Sequence, residues 1–171
     1  MTIQPALSGC EPRISNRPLP GGRAHVFETR QWVPAGLDRT FAFFSDAANL
    51  ETITPSFLGF EIRTPLPIEM HEGAQIEYRI RMMGVPMTWI SRIERWEPRR
   101  SFVDVQLRGP YARWVHTHTF TPADGGTLVG DRVEYEVPLA PLSDPVRALL
   151  VRPTVERIFR HRHGAIARIL G

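Results

Sequence analysis

From residue 58 to residue 138 the chain is a succession of extended segments cut by tight turns, and a single helical pattern then runs to residue 170. "LGFEIRTP" (58–65), "AQIEYRIRMM" (74–83), "MTWISRIERWEP" (87–98), "SFVDVQLRG" (101–109), "RWVHTHTFTP" (113–122) and "TLVGDRVEYEVP" (127–138) are rich in β-branched and aromatic residues. Gly, Pro and Asp separate them, as in "GP" at 109–110 and "DGG" at 124–126. Links this short leave room only for hairpins, so the strands must form an antiparallel sheet. "RAHVFETRQWVP" (23–34) adds an earlier strand, giving about seven.

Two short helices are expected between the first strand and the rest. Leu37, Phe41, Phe44 and Ala48 recur at helical spacing, and Pro55 stops the pattern. At the other end Ser143 is a candidate cap and Pro145 falls in the first turn. Pro153 is expected to kink the helix or to divide it in two. Val151, Val155, Ile158, Arg162, Ile166 and Ile169 share one face at 100° per residue. A long amphipathic helix laid on a curved antiparallel sheet is an α+β architecture. Residues 1–22 carry prolines at 5, 12, 18 and 20 and glycines at 9, 21 and 22 without an apolar period. They are expected to be a flexible tail to a single domain spanning 23–171.

Strand side chains alternate between faces, which identifies the residues that point inward. In 127–137 the odd set Val129, Asp131, Val133, Tyr135 and Val137 is inward; in 113–121 the even set Trp114, His116, His118 and Phe120 is. Ile76, Tyr78, Ile80 and Met82 face the same way, as do Met87, Trp89, Ser91 and Ile93. A turn centred near 110 sets Asp104 opposite His116 and Gln106 opposite Trp114. The concave face therefore collects Asp104, His116 and His118, with Asp131 near them, and Arg162 joins from the apolar stripe of the last helix. A solid core would not tolerate so many ionisable groups, because an unpaired buried charge is prohibitively costly. A hollow holding water or a ligand would.

The segments "FAFFSDAANLETITP", "ISRIERWEP", "FVDVQLRGPYARWVHTHTF", "GGTLVGDRVEYEVP" and "IFRHRHGAIARIL" together resemble the SRPBCC superfamily, which includes START lipid-transfer domains and the birch-pollen allergen fold. The likeness is to its bacterial, stand-alone, polyketide cyclase/dehydrase-like proteins and covers residues 24–170. It implies a helix-grip fold with a hydrophobic cavity between sheet and long helix. It implies no particular reaction, since carriers, receptors and enzymes share that scaffold.

Composition removes some functions and leaves others. No stretch of about 18 apolar residues is present to span a bilayer. The single cysteine, Cys10, fits a reducing, cytoplasmic setting. All 21 basic residues are arginine, but the net charge is only +3 and is spread along the chain, which gives no nucleic-acid footprint. "RIFRHRHG" (157–164) reads as a solvated helix face.

Three chemistries compete for the histidines. His116 and His118, about 6.6 Å apart along a strand, suit a shared ion, for which Asp104 or Asp131 would have to complete the ligand set. No recognised metal spacing supports this, so no metal and no cofactor are expected. A histidine beside a carboxylate is also a general acid–base pair, and Arg162 could stabilise an enolate or carboxylate in a cyclase-, dehydrase- or hydrolase-like reaction. The reading that asks least is a pocket for a small hydrophobic or amphipathic molecule. Tyr78, Trp89, Trp114, Phe120 and Tyr135 would supply its walls. Asp104, Gln106, His116, His118, Asp131 and Arg162 would supply its polar end. Nothing in the sequence chooses between a monomer and a homodimer.

Overall fold

A computed structural model describes residues 13–20, 24–82, 84–138, 145 and 147–171. Eight strands form one antiparallel sheet: β1 (Arg13–Pro18), β2 (His25–Val33), β3 (Glu61–Ile62), β4 (Gln75–Met82), β5 (Val85–Glu97), β6 (Ser101–Arg108), β7 (Arg113–Ala123) and β8 (Gly126–Glu136). Their spatial order is β1-β2-β8-β7-β6-β5-β4-β3. Strands β3 to β8 are therefore an unbroken meander, and β1 and β2 return to pair beside the last strand. Helices α1 (Leu37–Ser45) and α2 (Asn49–Ile53) fill the connection from β2 to β3, followed by a 3-10 turn at Ser56–Leu58. The long helix α3 (Arg152–Leu170) packs across the concave face and is preceded by a π-helical turn at Arg147–Val151. This is the α+β helix-grip arrangement.

Among the described residues the strand count is eight rather than seven. The added strand lies in the stretch expected to be a tail: residues 13–18 pair with β2 from Arg13↔Arg30 to Pro18↔His25. The Asn16 amide meets the buried hydroxyl of Tyr135, at 3.1 Å from Nδ2 and 3.2 Å from Oδ1. β1 is an edge strand, where a proline such as Pro18 is tolerated because one side of the ladder has no partner to serve. The remainder of the expected tail (1–12 and 21–23) and the expected cap at Ser143 lie outside the described residues.

Turn chemistry fixes the register. Asp124 and Gly125 both have left-handed φ, +47° and +76°, and connect β7 to β8 with Ala123 opposite Gly126. Two positive φ values make a type I′ turn, whose twist matches that of the strands it joins. Pro153 falls in the first turn of α3, where its missing N–H has no intrahelical partner to lose. The helix type changes from π to α just before Pro153, and the backbone stays helical through Val151 (φ −73°, ψ −51°) instead of dividing there. The buried stripe of α3 runs through Val155, Phe159, His163, Ile166 and Leu170. It shares Val155 and Ile166 with the expected face but moves Ile158 and Ile169 to the flanks.

The interior is split in two. One apolar cluster gathers Val33, Phe41, Ile93, Phe102, Phe120 and Ile166 with their neighbours. The other gathers Phe27, Ile80, Trp89, Tyr135, Val155 and Phe159 with theirs. The seam between them carries the site.

Candidate functional site

Three adjacent strands bring four ionisable side chains together. Cross-strand partners in an antiparallel sheet project from the same face. β6 pairs with β7 so that Asp104 is opposite His116, and β7 pairs with β8 so that His118 is opposite Asp131. Alternation along β7 turns His116 and His118 to the same side, and their rings lie 3.8 Å apart, centre to centre. A square results, with each imidazole between two carboxylates. Asp131 Oδ1 accepts a hydrogen bond from His116 Nε2 at 2.9 Å. It also lies 3.0 Å from His118 Nδ1, which is out of line for a hydrogen bond. Asp104 Oδ2 is 3.4 Å from His118 Nε2 and 3.6 Å from His116 Nδ1. Arg162 approaches from α3, with Nη1 3.9 Å from Asp131 Oδ1 and its guanidinium carbon 5.2 Å from the centre of the Phe159 ring.

Aromatic packing holds the square in place. His118 stacks on Phe102 at 4.3 Å, and His116 meets the edge of Phe159 at 5.6 Å. The two histidines thus belong to opposite halves of the divided core. Their proton affinities also diverge. Burial pushes both imidazoles toward the neutral form. For His118 the two carboxylates outweigh burial and raise its pKa above the usual value. For His116 the charge on His118 adds to burial, and its pKa falls despite the bond to Asp131. Burial pushes the Asp131 carboxyl up, but the two histidines reverse this and hold it well below the ordinary range. Asp104 is likewise lowered, burial being outweighed by His118 and His116.

Asp104, His116 and His118 form part of the wall of a cavity of about 160 Å³ between the sheet and α3. Tyr78, Trp89, Trp114 and Phe159 line its apolar side together with Ile80 and Val155. Ser91 accepts the indole N–H of Trp89 at 3.0 Å and lies 3.0 Å from the Tyr78 hydroxyl, so the polar groups of these three side chains meet one another. Burial raises the pKa of Tyr78, with Asp104 adding to the effect. Among the described residues, Arg162 Nε is a buried donor without a hydrogen-bond partner. Asp104, His116 and His118 each offer one atom to a metal ion, and the three atoms lie within 4.8 Å of one another.

Of the residues expected to line the pocket, Tyr78, Trp89, Asp104, Trp114, His116, His118 and Arg162 do so. Four do not. Gln106 folds back on the β6–β7 turn, where its amide bonds the Tyr111 carbonyl at 2.8 Å and the Tyr111 N–H at 3.3 Å. Phe120 packs edge-on against Phe41 and Phe44 in the core. Tyr135 is fully buried beneath β1, and Asp131 stands behind the imidazoles. Phe159 escapes the sequence reading although it lies four residues after Val155 and three before Arg162, a spacing that places it on the same helix face. His163 escapes it too, and is buried against Thr29 with Nε2 3.2 Å from the hydroxyl.

The sequence profile described as "Polyketide cyclase / dehydrase and lipid transport" matches residues 24–171. The chain belongs to this family. No curated protein matches the sequence of this polyketide cyclase/dehydrase-like chain. Solved structures share its fold. A START superfamily protein from Mycobacterium smegmatis is 15% identical with a TM-score of 0.63, covering 84% of this chain and 98% of the other. A Rhodobacter sphaeroides protein is 24% identical with a TM-score of 0.60, covering 93% and 99%. The di-domain ARO/CYC StfQ from the steffimycin biosynthetic pathway is 14% identical with a TM-score of 0.64, covering 86% of this chain and 51% of StfQ. At family level this supports a hydrophobic, ligand-binding cavity. Among the described residues, no helix is long and apolar enough to cross a membrane.

Proposed function

We propose that the polyketide cyclase/dehydrase-like chain binds a small amphipathic acid in the cavity, with the hydrocarbon against Trp89, Trp114 and Phe159 and the carboxylate on Arg162. The observation that carries this reading is the partnerless Nε of Arg162, buried in the wall of a largely apolar hollow. A buried guanidinium donor without a partner costs free energy that an anionic ligand would recover. The size of the hollow bounds the ligand. An engineered cavity of about 150 Å³ holds benzene, so about 160 Å³ suits a single ring or a short chain. A larger, fused-ring substrate would require the walls to open.

The test uses 3-phenylpropionate and its methyl ester, followed by tryptophan fluorescence. The acid is expected to bind more tightly than the ester, and Arg162→Met to remove that preference by weakening the acid about ten- to hundred-fold while sparing the ester. Equal binding of acid and ester by the unaltered protein would refute the placement of the carboxylate.

Catalysis is a second reading, favoured by His118, an imidazole of raised proton affinity facing the cavity beside Asp104. A carrier would keep its affinity in His118→Ala and have no turnover to lose. A cyclase or dehydrase would lose turnover by orders of magnitude at unchanged affinity.

A further inference from the structure

The square of carboxylates and imidazoles has a front and a back. Asp104, His116 and His118 face the cavity, whereas Asp131 lies behind the rings. The contacts on the two sides differ in kind. At the back, Asp131 Oδ1 is 2.9 Å from His116 Nε2, and an ionised carboxylate can only accept. His116 therefore carries its proton on Nε2, and its Nδ1 keeps a lone pair. At the front, Asp104 Oδ2 is 3.6 Å from that Nδ1 and 3.4 Å from His118 Nε2. These separations exceed the roughly 2.7–3.2 Å usual for hydrogen bonds. They match the roughly 3.4 Å between two ligands of one tetrahedral ion whose bonds are about 2.0–2.2 Å. An imidazole lone pair and a carboxylate oxygen at such a distance repel unless positive charge lies close by, which either a proton on His118 or a bound cation would supply.

We propose that Asp104 Oδ2, His116 Nδ1 and His118 Nε2 form a site for a divalent transition-metal ion of the zinc class, oriented from behind by Asp131. Two imidazoles and one carboxylate select zinc, cobalt or iron over magnesium or calcium, which prefer all-oxygen sites. Metal-binding histidines commonly donate their second ring N–H to a carboxylate, the role Asp131 already has toward His116. All three ligands come from strands held in register and lie within 4.8 Å of one another, and one ion reaches both imidazoles at bonds of about 2.0–2.2 Å once their nitrogens stand no more than about 4.4 Å apart. Three protein ligands leave a fourth position open toward the cavity, where a water or an oxygen of the bound molecule would fit. The inference deepens the reading of the hollow as a binding site and rests on that hollow admitting solutes.

Untagged protein, stripped with a chelator, is titrated with Co²⁺ while the visible absorption of the bound ion is followed. The expected result is one equivalent bound, with the absorption abolished by one equivalent of Zn²⁺. Asp104→Asn and His118→Ala should each weaken binding at least about 100-fold, and Asp131→Asn about 10- to 100-fold. Variants of the exposed His71 and of His161 on the outer side of α3 should bind as the unaltered protein does. Far-UV circular dichroism establishes that each variant is folded, and the near-isosteric Asp104→Asn decides the matter if His118→Ala is not. Absence of the band, a band that survives Asp104→Asn, or one lost with His161→Ala would overturn the proposal. Titration of 3-phenylpropionate with EDTA present reads the apolar cavity alone, so failure of the metal site and failure of the acid-binding reading are distinguishable.

Discussion

His163 and His118 show how the same residue type takes opposite states from its neighbours. His163 is buried near one hydroxyl, and burial depresses its pKa below the ordinary 6.5. Between that lowered value and about 6.5 the unfolded chain takes up a proton that the folded chain refuses. The contribution to stability is therefore full above about pH 6.5 and declines as pH falls toward the folded pKa. Replacing His163 with Asn should flatten the loss of stability between about pH 7 and pH 5, measured as urea midpoints at each pH. Parallel profiles for the two proteins would contradict this assignment. At this scale the sequence is informative where strand alternation and a turn position suffice: a turn near residue 110 is enough to pair Asp104 with His116. It misleads where a side chain satisfies nearby backbone, as Gln106 does at Tyr111. It also misleads in α3, where treating Arg162 as the centre of the stripe obscures Phe159 and His163.

Elements obey local rules as far as their partners are local. The hairpin from β7 to β8 is legible because "DGG" supplies two adjacent residues tolerant of left-handed φ. A side chain at Gly125 would meet open space, but its φ of +76° is a backbone conformation that L-residues rarely adopt. Gly125→Ala should cost about 1–2 kcal/mol for the left-handed backbone alone, seen as a lower urea midpoint at unchanged slope. No change would mean that the turn relaxes to another type. β1 is not legible, because what orders it is remote: its ladder is with β2 and its Asn16 contact is with Tyr135, 119 residues later. The expected strand at 58–65 shrinks to Glu61–Ile62 for a related reason: the edge next to β4 offers one partner only.

For the molecule as a whole, the decisive feature is that the core is divided, with a charged seam where a small α+β domain would ordinarily be filled with hydrocarbon. That division is foreseeable from too many inward-facing ionisable groups, whereas the size and boundary of the hollow depend on how α1, α2 and α3 close over the sheet. The proposed ligand belongs inside this hollow and not on the exposed Phe57, Leu149 or Leu150. Intermolecular nuclear Overhauser effects with saturating 3-phenylpropionate test this most directly. They are predicted between the ligand ring and the side chains of Trp89, Ile80 and Val155, with the carboxylate-side methylene near Arg162. Contacts confined to Phe57, Leu149 and Leu150, with none to Trp89, would contradict it.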